Sequence, residues 1–301
     1  IMDSGISLDS YKIFCTVVKT GNMSAAAKEL FISQPAVSMA VKQLEERLGS
    51  PLFVRTTKGV LLTPEGKILY TYLDMALNMV KTAEHKYYEL ANLEKGEVRI
   101  GASDIVISGY LMPYIEKFSN KYPDIRIKVV NKTTYESLEL MKRGVIDLCF
   151  VNLPIEHSED MEITKCVEIH DCLIGGTRYK HLAEKGLELS ELSSYPLLLL
   201  EDTSNTRKQL DKFAYANGIV FKPIIELASY DILIQFAKIN LGLTFIIREF
   251  DNSSIDGENI FEIPVRPQLP TRYVGLVMLK NAALSYAARE FVKMLGLGEK
   301  L

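Results

Sequence analysis

Two short helical segments separated by a tight break constrain the fold of this chain more than any other feature. Residues 24–30 are rich in alanine, which favours a helix and lets a second helix pack close to it. Ser33 is a suitable N-cap, and Pro35 falls in a first helical turn, where its missing N–H removes no hydrogen bond. We therefore predict a helix, a turn and a second helix that begins at Gln34.

The second helix has one apolar stripe and one mixed face. The stripe recurs at helical spacing before the stop at Gly49 and consists of Val37, Val41, Leu44 and Leu48. The other face combines amide, hydroxyl, apolar and cationic groups: Gln34, Pro35, Ser38, Met39 and Lys42. Such a set near a helix start is typical of base reading in the major groove, although an ordinary surface helix would show the same stripe.

A β-hairpin is predicted directly after this helix pair. Residues 52–63 alternate as two short strands around a turn that contains Gly59. Arg55 and Lys58 lie towards the tip of the hairpin, where cations would contact DNA phosphates. The hairpin therefore favours a winged DNA-binding head over an unspecialised helical subdomain.

At this point the chain closely resembles the LysR-type transcriptional regulators. The resemblance rests on the run AAAKELFISQPAVSMAVKQLEERLGSPLFVRTTKGVLLTPEG, which follows the amino-terminal signature of that family. It implies that Ser33, Gln34, Pro35 and Ser38 face DNA on the recognition helix and that Arg55 does so on the wing. Many relatives have a polar or basic side chain where this chain has Met39, so a contact with a thymine methyl group is the alternative there.

Composition agrees with a globular protein but not with a strongly basic one. The chain has 301 residues, 48% of them hydrophobic, and a net charge of −3. Residues 1–95 contain 11 Lys and Arg against 10 Asp and Glu, so one copy would neutralise few phosphates and we expect two copies to bind together. Without a signal-like or membrane-spanning segment in the sequence, a soluble cytoplasmic protein is expected.

A long helix with two apolar rows is predicted after the hairpin. It starts at Thr63 and Pro64 and meets no breaker before Gly96. A heptad-spaced row suited to pairing two copies consists of Leu69, Leu73, Ala76, Val80, Ala83, Tyr87 and Leu90. A second row that could pack on the helix's own domain consists of Ile68, Tyr72, Met75 and Met79. In the family this is the linker helix that dimerises the heads.

From Glu97 onward, strands and helices alternate, which favours α/β lobes with parallel sheets. The family resemblance implies two lobes like those of periplasmic solute-binding proteins, with crossings near residues 165–167 and 264–270. The predicted domains are a winged helix-turn-helix head (1–63), the linker helix (64–95) and an effector-binding domain (96–301). Lobe I would comprise 97–166 and 268–301, and lobe II 167–267.

Ligands of such folds bind between the lobes, at strand ends and helix starts. The side chains at these positions suit a small polar metabolite, with an anion among the candidates, and are Ser103, Asp104, Thr133, Thr134, Asn152, Ser204, Arg207 and Ser229. Arg207 would supply the cation, whereas Asp104 would repel an anion unless it caps its helix or meets an amino or hydroxyl group. Each hydroxyl could instead be a helix cap that touches no ligand.

Other classes of function find little support in the sequence. The four cysteines and four histidines show no metal-binding spacing, and neither GxSxG nor a phosphate loop occurs, so we expect no enzyme, no metal and no cofactor. Cys166 and Cys172 could form a redox switch, but buried structural cysteines are the simpler interpretation. The expected partners are double-stranded DNA, further copies of the chain as a dimer and by resemblance a tetramer, the metabolite, and RNA polymerase as a possibility, with no membrane.

Overall fold

The computed structural model describes residues 5–56, 59–91, 96–156, 158–251, 255–280 and 282–297; side chains are not described at residues 55, 85, 86 and 88–91. The chain divides into two units, Ile1–Lys86 and Tyr87–Leu301, and each is described by itself. We call the first the head and the second the two-lobed unit. No helix among the described residues is both long and apolar enough to cross a bilayer.

The head consists of three helices, a hairpin and the start of a long fourth helix. Their bounds are α1 Leu8–Thr20, α2 Met23–Glu29, α3 Gln34–Leu48, β1 Phe53–Thr56, β2 Gly59–Leu62 and α4 Pro64–Ala91. The predicted helix pair, hairpin and linker helix are therefore present, and α1 adds a helix that the sequence reading did not identify. The small Ala26 and Ala27 are buried against α3, as their size predicts.

The two-lobed unit begins and ends in lobe I. The chain first forms β3 Glu97–Ala102, α5 Asp104–Val106, a π-helical turn Ile107–Leu111, α6 Met112–Lys121, β4 Arg126–Asn131, α7 Thr134–Lys142, β5 Leu148–Leu153 and β6 Met161–Ile169. Lobe II contains β7 Asp171–Gly176, α8 Lys180–Lys185, β8 Leu187–Glu188, β9 Leu197–Leu200, α9 Asn205–Ala216, β10 Ile225–Leu227, α10 Tyr230–Lys238, β11 Leu243–Ile247, α11 Arg248–Asp251, β12 Ile260–Ile263 and β13 Val265–Arg266. The chain returns to lobe I through β14 Arg272–Leu279 and α12 Tyr286–Met294.

Each lobe has a five-stranded sheet that is mixed rather than parallel throughout. The strand orders are β4-β3-β5-β14-β6 in lobe I and β10-β9-β11-β7-β12 in lobe II. β14 runs antiparallel to β5 and β6, and β7 runs antiparallel to β11 and β12. The strands β3, β4 and β5 are joined through helices and pair in parallel, as do β9, β10 and β11, whereas β14 and β7, which adjoin the crossings, run antiparallel to their neighbours.

The two crossings lie side by side and are joined by a buried ion pair. The first crossing falls at His170, later than predicted, because β6 stays in the lobe I sheet to Ile169. The second lies between β13 and β14, within the predicted region. Arg272 Nε and Nη2 each lie 2.6 Å from a carboxylate oxygen of Asp171, and both side chains are buried. This bidentate pair fixes the first residues of β7 and β14 against each other.

Candidate nucleic-acid interface and ligand cavity

Helix α3, the predicted recognition helix, starts and stops where its sequence dictates. Ser33 Oγ accepts a hydrogen bond from the Ala36 N–H at 3.4 Å, and Gly49 ends the helix with a left-handed φ of 75°. Val37, Val41 and Leu44 are buried in the core of the head, but Leu48 is 39% exposed. The buried stripe is therefore one turn shorter than predicted, because the last turn extends beyond the packed surface.

The opposite face of α3 presents the predicted DNA-facing set to solvent. Gln34 Nε2 donates to Ser38 Oγ at 2.7 Å, so the amide and the hydroxyl are already held together. Pro35 is exposed, and Met39 is 58% exposed with no burial that would explain an apolar residue there. Lys42 lies 3.7 Å from Glu46 and both side chains are exposed, so this pair is weak and leaves the ammonium group available.

Backbone hydrogen bonds help to attach the hairpin to the helices. Glu45 Oε1 accepts from the N–H groups of Leu52 at 2.7 Å and Phe53 at 3.2 Å, and the Val60 N–H donates to the Gly21 carbonyl at 3.0 Å. Gly59 permits this approach, since a Cβ there would lie 2.3 Å from the same carbonyl oxygen. The backbone of Arg55 lies in β1, while its side chain and all of Lys58 lie outside the described residues.

Helix α4 reverses the predicted roles of its two apolar rows near the head. Leu69 and Leu73, assigned to the dimer seam, pack with Tyr70 and Leu77 on the cluster of Phe14, Cys15, Leu44 and Leu52. Ile68, Tyr72 and Met79, assigned to the helix's own domain, are instead 62%, 67% and 65% exposed. The seam prediction was therefore wrong for its first two members, because the head covers that side of the helix.

A cavity of about 230 Å³ lies between the lobes at the carboxyl ends of β3, β4, β5 and β9. Six of the predicted residues line it: Ser103, Asp104, Thr133, Thr134, Asn152 and Ser204. The sequence reading omitted several other lining residues, among them Asn131, Lys132, Glu136, Glu201 and Tyr230. Asn131, Lys132 and Glu201 also stand at strand ends, the positions at which the sequence predicts ligand contacts.

The hydroxyl groups at the cavity differ in whether they already form hydrogen bonds within the protein. Thr133 caps α7, accepting from the Glu136 N–H at 3.4 Å and donating to Glu136 Oε2 at 2.9 Å. The Thr133 backbone N–H also donates to this carboxylate and thereby lowers the pKa of Glu136. Ser103 and Ser204 cap α5 and α9 by position only, without a side-chain hydrogen bond to the helix. Ser103 and Ser204 therefore remain available to a ligand, and Thr133 does not.

Arg207 and Ser229 do not line the cavity, which corrects their assignment. The Arg207 side chain is 8% exposed and donates to Asp211, Glu226 and the Leu200 carbonyl at 2.7 to 3.0 Å. Its guanidinium group thus ties α9 to β9 and β10 within lobe II. Ser229 is the N-cap of α10, and its neighbours Ala228 and Tyr230 line the cavity in its place.

Asn205 connects the two lobes at the edge of the cavity. Its Nδ2 donates to the carbonyl oxygens of Asn152 and Pro154, and its Oδ1 accepts from the Tyr135 hydroxyl at 3.2 Å. Lys208, one turn along α9, places its Nζ 3.9 Å from the centroid of the Tyr135 ring. Asn205 and Lys208 thus supply polar contacts between the lobes at the edge of the cavity, in addition to a buried apolar cluster that contains residues of both lobes.

The cysteines of the two-lobed unit are poorly suited to redox chemistry. Burial raises the pKa of the Cys166 thiol to about 11 and that of Cys172 to about 12. A thiol with such a pKa contains almost no thiolate at neutral pH, and the thiolate is the reactive form. These values favour the structural interpretation of both residues.

Comparison with known proteins agrees with both units. Residues 8–67 match the family described as "Bacterial regulatory helix-turn-helix protein, lysR family", and residues 91–297 match the "LysR substrate binding domain". A "Probable RuBisCO transcriptional regulator" of Emiliania huxleyi is 31% identical over 81% of this chain and 79% of its own length. The "HTH-type transcriptional activator CmpR" of Synechocystis sp. is 24% identical over 96% of this chain and 94% of its own length.

The solved structure of full-length CbnR complexed with its target DNA has the same fold. It is 18% identical, with a TM-score of 0.68 over 97% of this chain and 99% of that one. The relatives and matching domains are those of regulators rather than of enzymes. The chain therefore belongs to the LysR family of DNA-binding transcriptional regulators, with a helix-turn-helix head followed by an effector-binding domain.

Proposed function

We propose that this regulator reads operator DNA with the amino-terminal half of α3. The observation that carries the proposal is the Gln34–Ser38 pair, a solvent-facing amide held by a hydroxyl at 2.7 Å on a helix whose other face is buried. A glutamine amide held in this way can offer its oxygen and nitrogen together to adenine. CbnR, whose structure was solved with its target DNA, supports the same use of the fold.

The rest of the exposed face supports DNA contacts of other kinds. Met39 presents an apolar tip, which suits the methyl group of thymine. Lys42, paired only weakly with Glu46, is suited to a phosphate. Ser33 and Pro35 are exposed at the helix start, and Arg55 and Lys58 keep the phosphate contacts that the sequence predicts for the wing.

Two copies must act together, and α4 is the element we assign to their pairing. The near-neutral head gives one copy little electrostatic affinity for DNA. Ile68, Tyr72 and Met79 form an exposed apolar strip on α4 that nothing in the described head covers. Burying this strip against the same strip of a second copy would form an isologous dimer that reads a partly two-fold-symmetric site.

The cavity of the two-lobed unit is the proposed effector site. Its lining comes from both lobes, so a ligand that contacts both binds one lobe arrangement better than another. Any regulation by the ligand must arise from that difference in affinity. Tetramer formation, contact with RNA polymerase and a cytoplasmic location are further predictions that rest on the family resemblance.

A footprint of the full chain on the intergenic DNA beside its own gene tests this proposal. We expect protection of two half-sites about 10 base pairs apart centre to centre, or a multiple of that spacing. Affinity should exceed that for random DNA of equal length by a factor of roughly 10³ or more. Equal affinity for both DNAs, measured at the same salt concentration, would contradict operator reading.

A further inference from the structure

The charged groups that line the cavity are predominantly acidic. Three carboxylates line it, those of Asp104, Glu136 and Glu201, against one cation, Lys132. Lys132 Nζ lies 3.3 Å from Glu136 Oε1, so these two charges offset each other. Among the described residues, Asp104 and Glu201 have no cationic partner, and the Asp104 carboxylate accepts only from the adjacent Ile105 N–H at 2.9 Å. The cavity therefore has two carboxylates without a cationic partner, that of Asp104 half-buried and that of Glu201 exposed to solvent at its edge.

The nearest candidates to neutralise these charges are engaged elsewhere. Arg207, expected to face an anion, is bound to Asp211, Glu226 and a backbone carbonyl outside the cavity. Lys208 lies over the Tyr135 ring and does not line the cavity. An anionic ligand would thus lose its hydration and meet like charges, which is unfavourable on both counts.

An independent observation also points to a ligand that donates hydrogen bonds. Asn152 lines the cavity and is 5% exposed, and its buried Oδ1 has no hydrogen-bond partner among the described residues. Its backbone carbonyl, by contrast, already accepts from Asn205. Buried amide oxygens rarely stay unpaired in folded proteins, so this acceptor calls for an external N–H or O–H donor.

The same cavity also contains groups that can donate hydrogen bonds to a ligand. Thr134 is buried there without a side-chain hydrogen bond within the described part of the chain, and the Ser103 and Ser204 hydroxyls are likewise free. Ser204 precedes α9, a helix of 12 residues whose first turn has no side-chain cap and leaves backbone N–H groups for an acceptor. A carboxylate is the acceptor that such positions favour.

We propose that the effector is an amino acid, bound as a zwitterion. Its ammonium group is held by the acceptors Asp104, Glu201 and Asn152, and its carboxylate by the free hydroxyls and the start of α9. The cavity of about 230 Å³ has room for about eight water-sized groups, which suits a molecule of that size. This inference rests on the proposed function of the cavity and specifies the chemistry of its ligand.

Thermal-shift and calorimetric titrations of the full chain with each of the 20 proteinogenic L-amino acids test the proposal. Every amino acid that binds is then compared with its 2-hydroxy acid, which replaces the ammonium group by a hydroxyl and keeps the skeleton, as in the pair L-alanine and L-lactate. We expect at least one amino acid to bind, and its hydroxy acid to bind at least about tenfold more weakly.

Two variants test where the ammonium group of the amino acid binds. Asp104→Asn and Glu201→Gln should each weaken the amino acid at least about tenfold. They should leave the melting temperature of the ligand-free protein unchanged or raise it, because each removes an unpaired negative charge. Glu139→Gln is the matched control: Glu139 lies on α7 but does not line the cavity, and its loss should leave affinity unchanged.

Three outcomes would overturn the inference. These are equal or tighter binding of the hydroxy acid, unchanged amino-acid affinity in both cavity variants, and absence of binding by all 20 amino acids at 10 mM, roughly the weakest affinity that a specific effector would have. None of these results affects the footprint on operator DNA. A failed footprint together with selective amino-acid binding would instead contradict the regulatory proposal and leave the ligand class standing.

Discussion

The DNA-facing surface of the head and the cavity of the two-lobed unit are built in opposite ways. The head presents Gln34, Ser38, Met39 and Lys42 from one helix, all within a few turns and all reachable by solvent. The cavity collects its lining from five separate segments that come from both lobes. One surface is complete as soon as a single helix has folded, and the other exists only while two lobes hold a particular arrangement.

This difference assigns the two units different roles in regulation. The positions of the proposed base-reading residues on α3 are fixed by that helix alone. A ligand bound elsewhere therefore has no local means of changing which bases these residues recognise. The cavity changes whenever the lobes move, and Asn205 at its edge contacts both lobes. We infer that the ligand alters how two heads are presented to DNA and leaves the base preference of each head unchanged.

Breaking the pairing of the heads should have the largest effect on DNA binding. The double change Tyr72→Asp and Met79→Asp places charge on the exposed strip of α4 without touching the core of the head. Because each head alone makes few phosphate contacts, we expect affinity for a two-half-site DNA to fall about 100-fold or more. Light scattering should show a smaller particle, and fluorescence anisotropy gives the affinity.

Lys81→Asp is the matched control, since Lys81 is exposed on the opposite side of the same helix. It should leave the dimer intact and weaken DNA binding only slightly. If Lys81→Asp dissociated the particle and the double variant did not, the pairing face would have to be reassigned to the other side of α4.

Removing Arg207 should destabilise the two-lobed unit rather than alter its cavity. Arg207→Ala leaves Asp211 and Glu226 without their cation, and we expect a loss of about 2 kcal/mol. This is below the range typical of fully buried pairs, because both carboxylates are about half exposed. Calorimetry of the full chain should show a lower melting temperature, whereas Lys212→Ala on the same helix should change it little.

Ligand affinity distinguishes this structural role from a direct contact. For any amino acid that binds the wild type, the affinity of Arg207→Ala should lie within about threefold of the wild-type affinity. The comparison is made at a temperature where the variant is folded, and a threefold difference is near the scatter of single-site effects. A large loss of affinity with an unchanged melting temperature would place Arg207 in the cavity after all.

A smaller, pH-dependent effect is expected at Asp251 on α11. Burial, followed by repulsion from Asp231, raises the pKa of Asp251 to about 6 from an ordinary value of 3.8. The fold therefore favours the protonated carboxyl, and the stability that this contributes is present below about pH 4 and lost as the pH rises through 6. Asp251→Asn should raise the melting temperature more at pH 7 than at pH 4.5.

Asp256 provides a comparison of opposite sign. Hydrogen bonds from the Asn259 side chain and from backbone N–H groups lower the pKa of Asp256, so its contribution is lost only as the pH falls below 4. Asp256→Asn should therefore lower the melting temperature by a constant amount between pH 4.5 and 7. If Asp251→Asn changed the melting temperature by the same amount at pH 4.5 and at pH 7, that result would contradict the raised pKa of Asp251.

Local features of the structure could be predicted from sequence, and features that depend on distant residues could not. The start of α3 at Gln34 follows from Ser33 and Pro35, which act within one turn. Which row of α4 faces the head depends on Phe14, Leu44 and Leu52, which are remote in sequence, and there the prediction failed. Arg207 failed for a similar reason, because its partner Glu226 lies on another element.

In the cavity, too, features set by local sequence could be predicted and features set by distant residues could not. The clustering of Ser103, Thr134 and Asn152 follows from their positions at strand ends, since the ends of parallel strands meet at one edge of a sheet, and their contact with an effector stays a prediction. The net charge was not predicted, because it depends on which charged side chains are already paired, as Lys132 is with Glu136. The late crossing at His170 likewise depends on the pairing of β6 with β14, a strand more than 100 residues away in the chain.

The most direct test of the account is to select preferred sites from random DNA with the wild type, Gln34→Ala and Gln43→Ala. Gln43 lies on the same helix and is exposed, nine residues or about two and a half turns beyond Gln34. We predict that the wild type and Gln43→Ala select the same partly symmetric site. Gln34→Ala should lose preference at one base pair in each half-site, with about tenfold weaker binding. An unchanged preference in Gln34→Ala would contradict base reading by α3.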